Sequence, residues 1–129
     1  MSNIHPSKAG IRALAQNPSN NPVVMLNLLK FRRGGGSKAY AKYSNAFQQV
    51  LERNGGRFLY LGRAAELLVG NEDWDAVALV EYPSRKVFLE ITSSPEFAAM
   101  ALYRADGLER TVLYATDRRP VSAGAGGSA

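Results

Sequence analysis

The sequence predicts an α+β domain: one sheet with helices on one face, and an extra helix at the N-terminus. Three observations carry this. Val23-Val24-Met25-Leu26-Asn27-Leu28-Leu29 sets six apolar residues around one amide, the pattern of a strand covered on both faces. Tyr40, Tyr43, Phe47, Val50 and Leu51 recur at helical spacing and stop at Gly55-Gly56. Asp75 to Tyr82 is again a strand pattern, followed by a helix and a last strand.

The elements follow in order. Pro6 to about Asn17 reads as a short helix with Ile11, Leu14 and Ala15 as a modest apolar stripe and Pro18 just past its end. Asn17 to Pro22 is a loop by composition, and Pro22 to Phe31 is the first strand. Arg33-Gly34-Gly35-Gly36 breaks it. Ser37 is the expected N-cap of a second helix running to about Asn54. Gly55-Gly56 ends that helix, since glycine takes the left-handed cap conformation without steric cost. Arg57 to Val69 reads as a strand bent near Gly62, and Gly70 to Asp73 as a turn into the strand Asp75 to Tyr82, together an antiparallel hairpin.

Pro83-Ser84 starts the next helix, with Val87, Phe88 and Ile91 on one side. Ser93 and Glu96 suggest a capping box that restarts it, with Pro95 early in the new helix. Phe97, Met100 and Ala101 continue an apolar face to about Ala105, and Asp106-Gly107 closes it. Glu109 to Thr116 is the last strand. Residues 121–129 are small and Gly-rich and read as a disordered tail. The division is 1–21 N-terminal helix and loop, 22–118 folded domain, 119–129 tail.

Strand-helix-strand-strand-helix-strand is the ferredoxin-like split βαβ order. Because the strands stay apolar on both sides, the sheet's second face needs a cover. A second copy of the chain supplies one most simply, as a two-fold homodimer.

Composition narrows the chemistry. With 129 residues the chain has the size of one domain. It has no cysteine, hence no disulfide framework and no thiolate chemistry. No apolar stretch is long enough for a membrane span and no signal-peptide pattern opens the chain, so a cytoplasmic protein is expected. A single histidine, His5, speaks against a zinc site and against Ser-His-Asp or Cys-His catalysis. The formal charge of +5 is spread out, with one cluster at Lys30, Arg32, Arg33 and Lys38. It forms no continuous stripe, which disfavours nucleic acid as the partner.

Pro22 to Phe31, Trp74 to Ser84, the paired Tyr40 and Tyr43, and the phrase Gly55-Gly56-Arg57-Phe58 together resemble the domain-of-unknown-function family "thirteen-thirty". The resemblance spans roughly Pro22 to Thr116. It implies the dimeric α+β barrel superfamily, in which two ferredoxin-like sheets pair and each subunit keeps a cavity between sheet and helices. That superfamily includes cofactor-free monooxygenases acting on aromatic polyketides, haem-degrading enzymes, muconolactone isomerases and chlorite dismutases. Haem-binding relatives typically use a histidine from the barrel region. His5 lies outside the matched core, which speaks against haem, and no cofactor is expected.

Asn27 is the first candidate for the site, either turned into a cavity to orient a carbonyl, phenolate or bound oxygen, or tied to a neighbouring element. Strand alternation groups Asn27 with Met25, Leu29 and Phe31, and Glu81 with Asp75, Val77 and Leu79. It leaves open which faces coincide. Glu81 and Tyr60 complete the catalytic candidates, Glu81 as a general base if burial raises its pKa. A glutamate at a strand end is more often solvated or paired with arginine. Arg63 and Arg85 are candidates for holding an anionic substrate, against a surface ion pair as the plainer reading. Trp74 is a candidate stacking cap or a core anchor. Tyr43 and Tyr114 are further substrate-binding candidates. The basic glycine loop Lys30 to Lys38 lacks the P-loop ending and reads first as a flexible strand-to-helix connection, with a weak anion site as the lesser alternative.

Three functions remain in play. The first is a cofactor-free oxygenase, isomerase or cyclase on an apolar or aromatic substrate. The second is a small-molecule carrier or sensor, and the third a polyanion binder.

Overall fold

The computed structural model describes residues 4–121; most of the expected tail at 119–129, from residue 122 on, lies outside the described residues. The element order is α1 (Lys8–Gln16), β1 (Val23–Phe31), α2 (Gly36–Arg53), β2 (Arg57–Arg63), β3 (Ala76–Tyr82), α3 (Arg85–Thr92), α4 (Pro95–Gly107) and β4 (Leu108–Thr116). The strands form one antiparallel sheet in the order β2-β3-β1-β4. This is the ferredoxin-like fold, with β1 and β4 paired at its centre and edge as the split βαβ order requires.

Cross-strand register settles what alternation alone left open. Asn27 stands opposite Ala78 on β3 and Leu113 on β4, so these three share the helix-side face. Val23, Met25 and Leu29 of β1 and Ala76, Ala78, Val80 and Tyr82 of β3 are buried there. Leu26 and Leu28 pair with Leu79, Val77, Tyr114 and Val112 on the opposite face, which no helix of the described residues covers. Glu81 belongs to that open face.

Several boundaries depart from the sequence reading for local reasons. The N-cap of α2 is Gly35, two residues before Ser37, because Gly34 and Gly35 take φ of 75° and 114° and turn the chain into the helix early. Gly36 and Gly107 then meet backbone to backbone. A Cβ on Gly36 would stand 2.8 Å from the Gly107 carbonyl oxygen, and one on Gly107 would stand 2.7 Å from that of Gly36. The second strand ends at Arg63, not Val69. Ala64-Ala65-Glu66 is poor strand sequence, and Leu67, Leu68 and Val69 are exposed. The loop closes where the Ala64 N–H donates to the Asp75 carbonyl at 2.9 Å.

The irregularity of β2 falls between Phe58 and Tyr60, not at Gly62. Gly62 lies against the Tyr60 ring, where a Cβ would clash. The cap of α4 is Ser94, whose Oγ accepts from Phe97 N–H at 3.1 Å, so Ser93 and Glu96 form no capping box. Glu96 instead pairs with Arg53 of α2 at 2.6 Å. No helix of the described residues is long and apolar enough to cross a membrane.

Candidate functional site

A cavity of about 360 Å³ lies between the helix-side face of the sheet and the helices. Its floor is Met25, Asn27, Phe58, Ala78, Val80 and Leu113. Tyr40, Tyr43 and Phe47 enter from α2, Phe88, Leu89 and Thr92 from α3, and Phe97, Ala101 and Arg104 from α4. His5, Pro6 and Ile11 of the N-terminal segment reach across it. That segment is held where Arg104 Nη1 donates to the Ile4 carbonyl at 2.7 Å.

Helical spacing builds the aromatic wall. Tyr40, Tyr43 and Phe47 rise on one face of α2, with ring centroids 5.3 Å apart for the first pair and 5.5 Å, near parallel, for the second. Phe97 meets Phe47 edge-on at 6.0 Å, and Phe88 meets Tyr82 edge-on at 5.0 Å. Edge-to-face and offset contacts of this kind fix ring orientation as well as burying area. The wall is therefore preorganised rather than loosely apolar.

The polar groups are few. Asn27 Nδ2 donates to the Met25 carbonyl of its own strand at 3.3 Å, so the strand orients an amide that belongs to the lining. The phenols of Tyr43 and Tyr82 are almost wholly enclosed, yet neither hydroxyl bonds to a described residue and neither is sealed from accessible space. Both residues line the cavity. Burial pushes the phenols of Tyr40, Tyr43 and Tyr82 above the usual tyrosine range, partly offset by the Arg104 guanidinium. All three stand as neutral hydrogen-bond donors and acceptors at physiological pH.

Of the residues singled out in the sequence, the cavity brings together Asn27 and Tyr43. It does not bring in the others. Glu81 lies on the open face, where Arg57 Nε donates to it at 3.1 Å and Arg118 Nη2 at 3.5 Å. Tyr60 pairs with Leu79 on the same face, and Tyr114 is exposed there. Arg63 ends the edge strand and lines a separate open groove with Arg32 and the glycine loop. Trp74 stacks under the Arg110 guanidinium at 4.2 Å, beyond the cavity. Arg85 is buried and joins α3 to the chain beyond β4 through Asp117 at 2.9 Å. For Glu81, Tyr60 and Tyr114 the reason is parity: residues one apart on a strand point to opposite faces, so Asn27 and Glu81 cannot share a pocket in this register.

Arg104 and Tyr82 are lining residues that the sequence reading passed over. Each carried a signal. Arg104 falls on the stripe of Phe97, Met100 and Ala101, a charge on an apolar helix face. Tyr82 shares parity with Ala76, Ala78 and Val80. The basic cluster is largely engaged elsewhere: Lys30 pairs with Asp73 at 2.8 Å and Asp75 at 3.4 Å, and Arg32 Nε donates to the Leu108 carbonyl at 3.0 Å. No group of three or more metal-ligating side chains occurs among the described residues.

Fold and site together define a ferredoxin-like α+β protein with an aromatic cavity roofed by helices. Residues 35–117 match the family described as Domain of unknown function (DUF1330), and the chain belongs to that family. A protein of unknown function from Rhodopseudomonas palustris is similar at 29% identity and a TM-score of 0.86, over 93% of this chain and 100% of that one. A hydroxynitrile lyase from Passiflora edulis shares the fold at 12% identity and a TM-score of 0.60, over 80% of this chain and 100% of that one. A candidate antibiotic biosynthesis monooxygenase from Bacteroides thetaiotaomicron does so at 18% identity and a TM-score of 0.55, over 79% and 91%. No curated protein matches the chain.

Proposed function

We propose that this protein binds a small apolar or aromatic molecule in the cavity between sheet and helices, and works as a cytoplasmic homodimer. The observation that carries the reading is the cavity itself. A cavity of about 360 Å³, walled by oriented rings and edged by Asn27 and by phenol hydroxyls that bond to no described residue, has the make-up of a ligand site. A protein interior normally closes such space. The homodimer reading rests on the uncovered sheet face, where Leu26, Leu28, Val77, Leu79 and Val112 would form the contact of a paired barrel.

Native mass spectrometry of freshly purified protein, repeated under denaturing conditions, tests this. The expected result is a dimer carrying extra mass that denaturation releases as a small organic molecule. A bare monomer that no aromatic compound in a ligand screen shifts would overturn the reading.

A second reading, catalysis without a cofactor, is favoured by His5. It brings an imidazole, the side chain suited to proton transfer near neutral pH, into the lining beside neutral phenols. A hydroxynitrile lyase and a candidate monooxygenase share the fold, which supports a catalytic reading by fold analogy alone. Glu81 and Tyr60 have no part in this reading, since both stand on the open face. Once a ligand is known, His5→Gln discriminates: binding kept with turnover lost marks an enzyme, and no turnover in either protein marks a carrier.

A further inference from the structure

The cavity lining contains no Asp and no Glu, yet it contains Arg104. Arg104 is half-buried on α4, on the stripe that otherwise presents Phe97, Met100 and Ala101 to the interior. Its Nη1 donates to the Ile4 carbonyl. Among the described residues it has no carboxylate within ion-pair distance, whereas Arg85, Arg53, Arg57 and Arg110 each have one. A guanidinium offers five N–H donors, and a single carbonyl engages one.

Withdrawing a cation from water into an apolar site without a counter-charge costs free energy, which a bound anion offsets. Around it stand Tyr40 and Tyr43, whose phenols feel the Arg104 charge, and His5, the other basic lining group. The site is apolar in its walls and rich in donors, with one cation and no competing carboxylate.

We propose that the ligand is an aromatic or apolar acid whose carboxylate or comparable oxyanion is held by Arg104, with a phenol of Tyr40 or Tyr43 as a second donor. This rests on the reading of the cavity as a small-molecule site. Planar guanidinium–oxyanion pairing supplies both charge and direction, and a protonated phenol adds a bond without adding repulsion.

The test uses two fluorescent probes with one ring system: 8-anilinonaphthalene-1-sulfonate, and N-phenyl-1-naphthylamine, which lacks the sulfonate. The full-length protein is expected to bind the sulfonate about tenfold or more tighter than the neutral amine, the scale of one charge-assisted contact. Arg104→Met should erase that preference, read as the ratio of the two affinities so that a loosened N-terminal segment, which weakens both probes alike, cancels; Arg104→Lys should keep part of it. Ala101→Phe, or Thr92→Phe should the first not fold, fills the cavity and should abolish both probes. Equal affinity for the two probes, or a preference that survives Arg104→Met unchanged, sinks the acid proposal alone. Probe binding indifferent to the cavity-filling variants, or no binding of either probe, sinks the small-molecule reading and the acid proposal with it.

Discussion

Tyr40, Tyr43 and Tyr82 meet the cavity as neutral phenols, and this has a sign in pH. Burial raises their pKa above the unfolded value of about 10, so the folded state holds protons that the unfolded state releases. Their contribution to stability is complete below pH 10 and falls as pH rises above it. Alkaline titration followed by ultraviolet absorbance and circular dichroism should show these three ionising together with unfolding. A tyrosinate step that Tyr43→Phe removes, well before loss of the dichroism signal, would contradict this. Asn27 makes a different prediction. Among the described residues its side chain makes one hydrogen bond, within its own strand, so Asn27→Ala should change stability by only about 1 kcal/mol in chemical denaturation. Its larger effect should be on ligand affinity. The sequence made Asn27 conspicuous, a lone amide in an apolar run. It could not show Arg104 as clearly, because a charge on one helical stripe marks the interior only once the helix has been docked. Nor could it exclude Glu81, since the strand period is legible while the register that aligns two strands is not.

At the scale of elements, sequence was most informative where chemistry is local. The order of strands and helices, the Gly55-Gly56 stop and the break between α3 and α4 all follow from spacing and from glycine, serine and proline. The ends were less legible, because neighbouring serines compete as caps and only tertiary packing chooses. Ser94 rather than Ser93 caps α4, so Ser94→Ala should cost about 1 kcal/mol, and Ser93→Ala close to nothing, in parallel urea titrations. The start of α2 went unrecognised for a related reason. A glycine pair in the left-handed region can replace a side-chain cap, and its purpose is visible only in the close approach of Gly36 to Gly107. Gly107→Ala forces a methyl against the Gly36 carbonyl and the Tyr40 N–H, and should destabilise by about 1–3 kcal/mol with a lowered thermal midpoint. A neutral effect would mean that the α2–α4 contact is looser than its geometry.

For the whole molecule, one face of the sheet is roofed and the other is bare. The bare face carries Leu26, Leu28, Val77, Leu79 and Val112, with Glu81 and its two arginines at one end. On the proposed homodimer, a second copy seated there would account for strands that are apolar on both sides. Leu79→Glu should then shift the protein from dimer to monomer in light scattering while keeping its far-ultraviolet dichroism. A monomeric wild type would remove the premise. The same reading places Tyr60 and Tyr114 at a subunit contact rather than at the ligand. The seam between Gly36 and Gly107 carries a further implication. Where two backbones already touch, no substitution can bring them closer, and almost any will push them apart. The distance between α2 and α4 is thus fixed at its minimum in this scaffold. Leu89, Thr92, Ser93, Pro6 and Ile11 hold the adjustable walls. Relatives that keep the two glycines would diverge in ligand size through those positions, and a designer wanting a wider or narrower chamber should begin there.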